Sequence, residues 1–241
     1  MTSMSDQINH ECGIALIRLL KPLEFYQKKY GTINYGVNKM YLMMEKQHNR
    51  GQDGAGFASV KLEVKPGERY IHRKRSAGKQ PIQEIFQEIN NEIFRHISKN
   101  KNDKAPYLGQ LMLGHVRYGT FGKNNIESVH PFLRQNNWKH RNLIVAGNFN
   151  MTNNQELFDN LVKLGQHPKD KADGITVMEK IGHFLDDAVS KIYRKLKKEG
   201  VSKMEASALI EKRLKVSKIL KKASKDWDGG YAMGGLIGHG D

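Results

Sequence analysis

One cysteine and three later stretches hold most of the residues in this sequence whose types and spacing could do chemistry. Cys12 lies in His10-Glu11-Cys12-Gly13-Ile14-Ala15, where a polar leader meets the first apolar run. The later stretches are Gln47-His48-Asn49-Arg50-Gly51-Gln52-Asp53, Gly114-His115-Val116-Arg117-Tyr118-Gly119-Thr120 and Asn148-Phe149-Asn150-Met151-Thr152-Asn153. A lone cysteine most often packs as a small hydrophobe. If Met1 to Glu11 were removed, Cys12 would carry both a thiol and a free α-amine. The amine titrates near about 8 and the thiol near about 8.5, so the amine can serve the thiol as base, directly or through a water. Such a thiolate suits acyl transfer from an amide. Arg117 can grip a carboxylate through two parallel hydrogen bonds. Asp173 can pair with an ammonium, and Asn148 can donate its side-chain amide to a developing oxyanion. Together these groups would hold a free α-amino acid with a side-chain amide, for which glutamine is the natural candidate. His48, His115 and His130 match no helical metal pair and read as structural hydrogen-bonding residues. The sequence has no phosphate loop of the GxxxxGK type and no paired catalytic carboxylates.

These residues need elements to hold them. Gly13 to Leu19 reads as a buried strand starting directly at the cysteine. Lys21 to Tyr35, with Pro22 and Gly31, reads as a loop or inserted excursion. Val37 to His48 has helical apolar spacing and stops at Asn49-Arg50-Gly51. A strand over Phe57 to Leu62, a turn at Lys65-Pro66-Gly67 and a paired strand over Arg69 to Lys74 follow. Pro81 opens a helix whose Ile82, Ile85, Phe86, Ile89, Ile93 and Ile97 form one stripe. Tyr107 to Arg117 and Leu143 to Gly147 read as strands, with an irregular stretch between them. Thr152 to Asn154 can cap a helix carrying Leu157, Phe158, Leu161 and Leu164. Asp173 precedes a longer helix broken at Gly200, Met204 to Leu220 reads as one basic helix, and Gly229 to Ile237 as a final strand. Helices mixed with hairpin-like strand pairs indicate an α+β fold with antiparallel sheets.

Composition bounds the class. A chain of 241 residues with 38% hydrophobic content can bury a sizeable core. A single cysteine excludes an intramolecular disulfide and a multi-cysteine zinc site. The leader has no apolar segment of the secretory kind, and no run approaches the roughly 20 apolar residues that span a bilayer, so the expected setting is the cytoplasm, without membrane. The net charge is +15, much of it between Lys191 and Lys225. That run reads as a solvated helix face, and nucleic acid is not an expected partner.

The four stretches, in this order after an early cysteine, resemble the class II glutamine amidotransferases, which are N-terminal nucleophile hydrolases. The nearest branch is the glutaminase domain of the amidophosphoribosyltransferases of purine synthesis. The leader ending at Cys12-Gly13-Ile14 resembles the family's propeptide and nucleophile. Gln47 to Gly56 resembles the QHRGQD-containing segment of the purine branch, with Asn49 as an extra residue. Gly114 to Thr120 matches GHVRY-x-T, and Asn148 to Asn153 fits NGNLTN. The resemblance implies a four-layer αββα sandwich with two mostly antiparallel sheets, residues 1–11 being a leader and 12–241 a type 2 glutamine amidotransferase domain at the head of a longer enzyme. It implies that Cys12 is the nucleophile, that Asn148 and the Phe149 N–H form the oxyanion hole, and that Arg117, Thr120 and Asp173 bind glutamine. No cofactor or metal is expected in this domain. The expected partners are glutamine, a downstream phosphoribosyltransferase domain or subunit, and further copies in a homo-oligomer. Three departures stand out: Phe149 replaces a glycine and so puts a side chain beside the pocket, Gly147 replaces a histidine, and Asp173 lacks the usual flanking residues. Two other readings remain open. Another class II branch, such as the hexosamine-forming synthase, typically has tyrosine before the aspartate, where this chain has Gln52. A degenerate, non-catalytic basic scaffold is the other.

Overall fold

The computed structural model describes residues 11–100, 105–119 and 125–238. Seven strands form two antiparallel sheets among these residues. The first sheet comprises β1 (Gly13–Arg18), β2 (Gly54–Val60), β3 (Ile71–Ser76) and β4 (Leu111–Arg117), in the order β1-β4-β2-β3. The second comprises β5 (Phe132–Arg134), β6 (Leu143–Met151) and β7 (Gly229–Ile237), in that spatial order.

Side-chain alternation along each strand builds the layers. In the first sheet Ala15, Phe57, Met112 and Val116 face outward, onto Met40 and Met44 of α2 (Tyr35–Glu45) and the isoleucine stripe of α3 (Pro81–Asn100). Ala58, Val60, Leu111 and Leu113 face inward, against Ile144, Ala146 and Leu236 of the second sheet. The far face of that sheet, Leu143, Val145 and Met151, packs on Leu157 of α4 (Asn154–Lys163) and on Val177, Ile181 and Leu185 of α5 (Asp173–Lys198). The stacking order is helix, sheet, sheet, helix, the αββα sandwich that the family resemblance implies.

Several local expectations change. Lys21 to Tyr35 contains a helix, α1 (Leu23–Tyr30), not only a loop. Pro22 stands at its N-cap and Gly31, at φ 74°, at its left-handed C-cap, so the two loop signals are the helix's start and stop. α1 is held by stacked rings, Tyr26 on Tyr35 at 5.0 Å and Tyr30 on Tyr35 at 4.3 Å. The basic helix foreseen over Met204 to Leu220 is two helices, α6 (Lys203–Arg213) and α7 (Val216–Ala223). The chain turns extended at Leu214, φ −69° and ψ 126°, which lets Ile210 and Ile219 enter the same core. β5 lies inside the stretch read as irregular, and Asn153 makes no side-chain cap on α4. Instead Asn153 donates to the Asp226 carbonyl and accepts from the Asp228 N–H.

The two flanks of the sandwich differ. On one, residues 129–131 bridge the sheets: Arg73 donates to the Pro131 carbonyl at 3.2 Å and Arg75 to the Val129 carbonyl at 3.0 Å. On the other, β1 and β7 are both edge strands, and Leu16 on the inner face of β1 is 46% exposed.

Candidate active site

Alternation and register bring three of the expected residues to one end of the space between the sheets. On β1, Ile14 faces the second sheet, and Cys12 continues that row one step before the strand. On β4, Leu111, Leu113 and His115 face inward, and Arg117 ends the row. On β6, Ile144 and Ala146 face the first sheet, and Asn148 follows them. Because β1 and β4 are antiparallel, with Gly13 opposite Val116, Cys12 meets the exit of β4. The Tyr118 N–H donates to Cys12 Sγ at 3.5 Å, and the thiol lies 3.9 Å from the Tyr118 carbonyl. Burial pushes the Cys12 thiol above its ordinary pKa, while the Tyr118 backbone and the Arg117 charge pull it partly back.

Arg117 is itself buried, and a side chain at Gly119 would strike its guanidinium at 2.7 Å. The stretch Gln47 to Asp53 clamps this strand exit. Asp53 donates its backbone N–H to the Arg117 carbonyl at 3.0 Å and accepts from the Gly119 N–H at 2.8 Å. A Cβ on Gly51 would lie 2.4 Å from the Arg117 carbonyl carbon, so glycine is required there by close approach, its own φ being an unstrained −161°. Gln47 donates to the Ile14 carbonyl at 3.3 Å and lies over Gly13. These are positioning residues that the sequence marked as a stretch without giving them roles. Thr120 lies outside the described residues.

Two histidines fix Gly147, the residue before Asn148, through both of its peptides. His115 Nε2 donates to the Gly147 carbonyl at 3.2 Å, and His130 Nδ1 accepts from the Gly147 N–H at 3.1 Å. A carbonyl can only accept and an N–H can only donate, so both neutral tautomers carry their proton on Nε2. The ring centroids lie 4.5 Å apart, with the planes tilted by 49°. Burial lowers the His115 pKa to about 4 and lowers that of His130 well below its usual value.

The same bonds orient the edge of β6. Gly147 turns its N–H toward His130, away from β7, and Met151 turns its N–H to Asp173 Oδ2 at 2.8 Å. Strand geometry puts the Phe149 N–H on that same edge, between them. Among the described residues neither this N–H nor the Asn148 side-chain amide meets a hydrogen-bond partner. The Phe149 ring does not border the space between the sheets. It points to the α5 side, edge-on to His130 at 5.9 Å. Its backbone is not left-handed, since Tyr107 is the one non-glycine residue of positive φ among those described. A Cβ on Gly147 would lie 2.5 Å from Phe149 Cζ, so the ring fills the volume that a side chain at 147 would need. Gly174 clears the same ring from the α5 side, at 3.3 Å. Asp173 is the first residue of α5, at the end of β6 through Met151, with Ala172 at the N-cap. Among the described residues no three His, Cys, Asp or Glu gather as a metal site, and no helix is long and apolar enough to cross a membrane.

No family model matches the chain. It is 32% identical over 196 residues to the amidophosphoribosyltransferase of Bacillus subtilis, which is 79% of this chain and 33% of that protein. It is 29% identical over 145 residues to the amidophosphoribosyltransferase of Archaeoglobus fulgidus, 60% of this chain and 26% of that protein. In fold it matches the glutamine phosphoribosylpyrophosphate amidotransferase of B. subtilis, solved with ADP and GMP, at a TM-score of 0.52 and 20% identity over 94% of this chain. The chain is a relative of the class II glutamine amidotransferases. It spans about a third or less of both amidophosphoribosyltransferases, and 35% of the solved chain. Against the family pattern, the glycine at 147 and the aromatic at 149 form one change, because a single volume on the α5 side of β6 is filled from two residues further along.

Proposed function

We propose that this chain hydrolyses glutamine to glutamate and ammonia through a thioester on Cys12. The observation that carries the reading is the convergence of Cys12, Arg117 and Asn148 at one end of the inter-sheet space, with an uncommitted Phe149 N–H beside them. Arg117 takes the substrate α-carboxylate and Asp173 its α-ammonium. Cys12 Sγ adds to the side-chain carbonyl carbon, and the Asn148 amide and the Phe149 N–H receive the oxyanion. The carbon–nitrogen bond then breaks, the proton taken from the thiol leaves on ammonia, and water cleaves the thioester to glutamate. The base is the α-amine of Cys12, which exists only once the bond to Glu11 is cut. Before that cut the buried, raised thiol stays protonated and the chain is an inactive precursor. The relatives' names point to a phosphoribosyl acceptor for the ammonia, hence to a cytoplasmic role in purine synthesis beside a phosphoribosyltransferase unit.

The test is intact mass with glutamate release. The chain beginning at Cys12 should form glutamate and take up one equivalent of a glutamine-like diazo ketone, mapped to Cys12. Cys12→Ala should abolish both. Unchanged glutamate formation by Cys12→Ala, or an unlabelled Cys12 in the folded chain, would overturn the proposal.

A further inference from the structure

Thirteen Lys and Arg against three Glu lie between residues 191 and 225, so this segment holds two thirds of the net charge of +15. The structure adds their arrangement. On the C-terminal half of α5, Lys191, Arg194, Lys195 and Lys198 recur at i, i+3, i+4 and i+7, one helix face. On α7 and the residues after it, Lys218, Lys221, Lys222 and Lys225 repeat that spacing. All eight are exposed. The opposite positions, Val189 and Leu196 of α5 and Ile219 and Ala223 of α7, are buried in one core, so the two helices are packed together with their basic faces outward. The stripes adjoin: Lys191 bonds Asp187 at 2.7 Å, and Lys222 of α7 also acts on that carboxylate.

Nearby acids do not neutralise the surface. Glu199 pairs with Arg213, and Glu205 is held in the Ser202 capping box. Among the described residues Lys195, Lys198, Lys218, Lys221, Lys222 and Lys225 enter no ion pair. Self-repulsion of this kind disfavours the compact state unless an anion relieves it. An anionic membrane would need an apolar face beside the charge, but Ile219 and Ala223 of α7 are already buried. Small anions call for a concave cradle of converging donors, whereas these side chains radiate from two convex helices. Neighbouring cations on each stripe are about 5–6 Å apart at Cβ and follow a line, which suits a chain of phosphates.

We propose that the basic face of α5 and α7 binds the phosphodiester backbone of a nucleic acid, without sequence preference. The surface is separate from the Cys12 site and does not depend on the glutaminase reading. The test is fluorescence anisotropy of a labelled single-stranded RNA of about 20 nucleotides, titrated between about 50 and 200 mM salt. Lys218, Lys221, Lys222 and Lys225 are changed together to Gln, and in a charge-matched second variant the exposed Lys21, Lys28, Lys46 and Lys79 are changed instead. Circular dichroism confirms that both variants fold. Loss of four phosphate contacts should make the slope of log affinity against log salt shallower by about 3 and weaken binding at least about 30-fold at 100 mM salt. The control should lose about threefold or less, the general effect of net charge. Equal losses in the two variants, no RNA binding at 50 mM salt, or binding to phosphatidylserine vesicles but not to RNA would each overturn the proposal.

Discussion

His115 gives the most direct link between buried electrostatics and the site. It is 1% exposed, its Nε2–H is used by the Gly147 carbonyl, and burial lowers its pKa to about 4. In the unfolded chain the same imidazole titrates near about 6.5. The folded pKa lies below the unfolded one, so between these values the unfolded state binds the extra proton. The neutral ring's contribution is therefore complete above pH 6.5 and is lost progressively as the pH falls toward 4. A gap of about 2.5 pH units corresponds to about 3 kcal/mol, and about 2 kcal/mol of that disappears between pH 7.5 and pH 5. His115→Gln keeps a donor for the Gly147 carbonyl but does not titrate. Urea unfolding followed by circular dichroism at the two pH values should show the variant losing about 2 kcal/mol less than the wild type on acidification. His72 and His130 still titrate in the variant, so its profile slopes but more gently. Parallel profiles for the two proteins would refute the assignment of His115 as a buried neutral imidazole. Glutaminase activity of the folded, matured chain should hold through this range and fall only near pH 4, where His115 itself takes up a proton and is repelled from the neighbouring ring and the Arg117 charge.

Three further outcomes follow from the site geometry. Gly147→Ala puts a Cβ 2.5 Å from Phe149 Cζ and 2.7 Å from the Ala232 carbonyl, so it should destabilise by about 1–3 kcal/mol; adding Phe149→Ala should recover part of that loss, and strictly additive unfolding energies would show that the two positions do not share one volume. Gly51→Ala should push Gln47 to Asp53 off the β4 exit and lower kcat/KM for glutamine at least about tenfold, and a chain with unchanged kinetics would exclude the clamp from positioning Arg117. Asp173→Asn keeps an acceptor for the Met151 N–H, so unfolding stability should change by about 1 kcal/mol or less while the KM for glutamine rises about tenfold or more; an unchanged KM would leave Asp173 a purely structural residue.

Much of the site was legible because its chemistry lies in rare residue types at strand ends. A cysteine beginning an apolar run, an arginine ending one and an asparagine ending another can be placed by period-2 patterning alone. That all three face the same interior space was not legible, because facing depends on cross-strand register. The same limit hid the direction of Phe149, whose ring lies on the α5 side while its N–H lies on the strand edge. His115 and His130 read correctly as structural, but their shared partner, Gly147, is 32 residues from one and 17 from the other. α1 escaped notice because it buries a single aliphatic residue, Leu23, and is otherwise held by tyrosines stacking on Tyr35, so no aliphatic stripe marks it. The break between α6 and α7 falls at Leu214, where neither glycine nor proline announces it.

The open flank gives the sandwich a direction of growth. Asn148 turns its backbone groups toward Ala232, so on β7 it is Tyr231, Met233, Gly235 and Ile237 that turn theirs outward. Over nine residues this edge carries no charge, no proline and no bulge. Natural sheets use such features to discourage further pairing, and none is present here. Among the described residues the second sheet can therefore be lengthened at β7 without moving a residue of the stitched flank, where Arg73 and Arg75 close the stack. Arg117 and Asn148 stand on the interior strands β4 and β6, so a strand could be added at β7 while both keep their places.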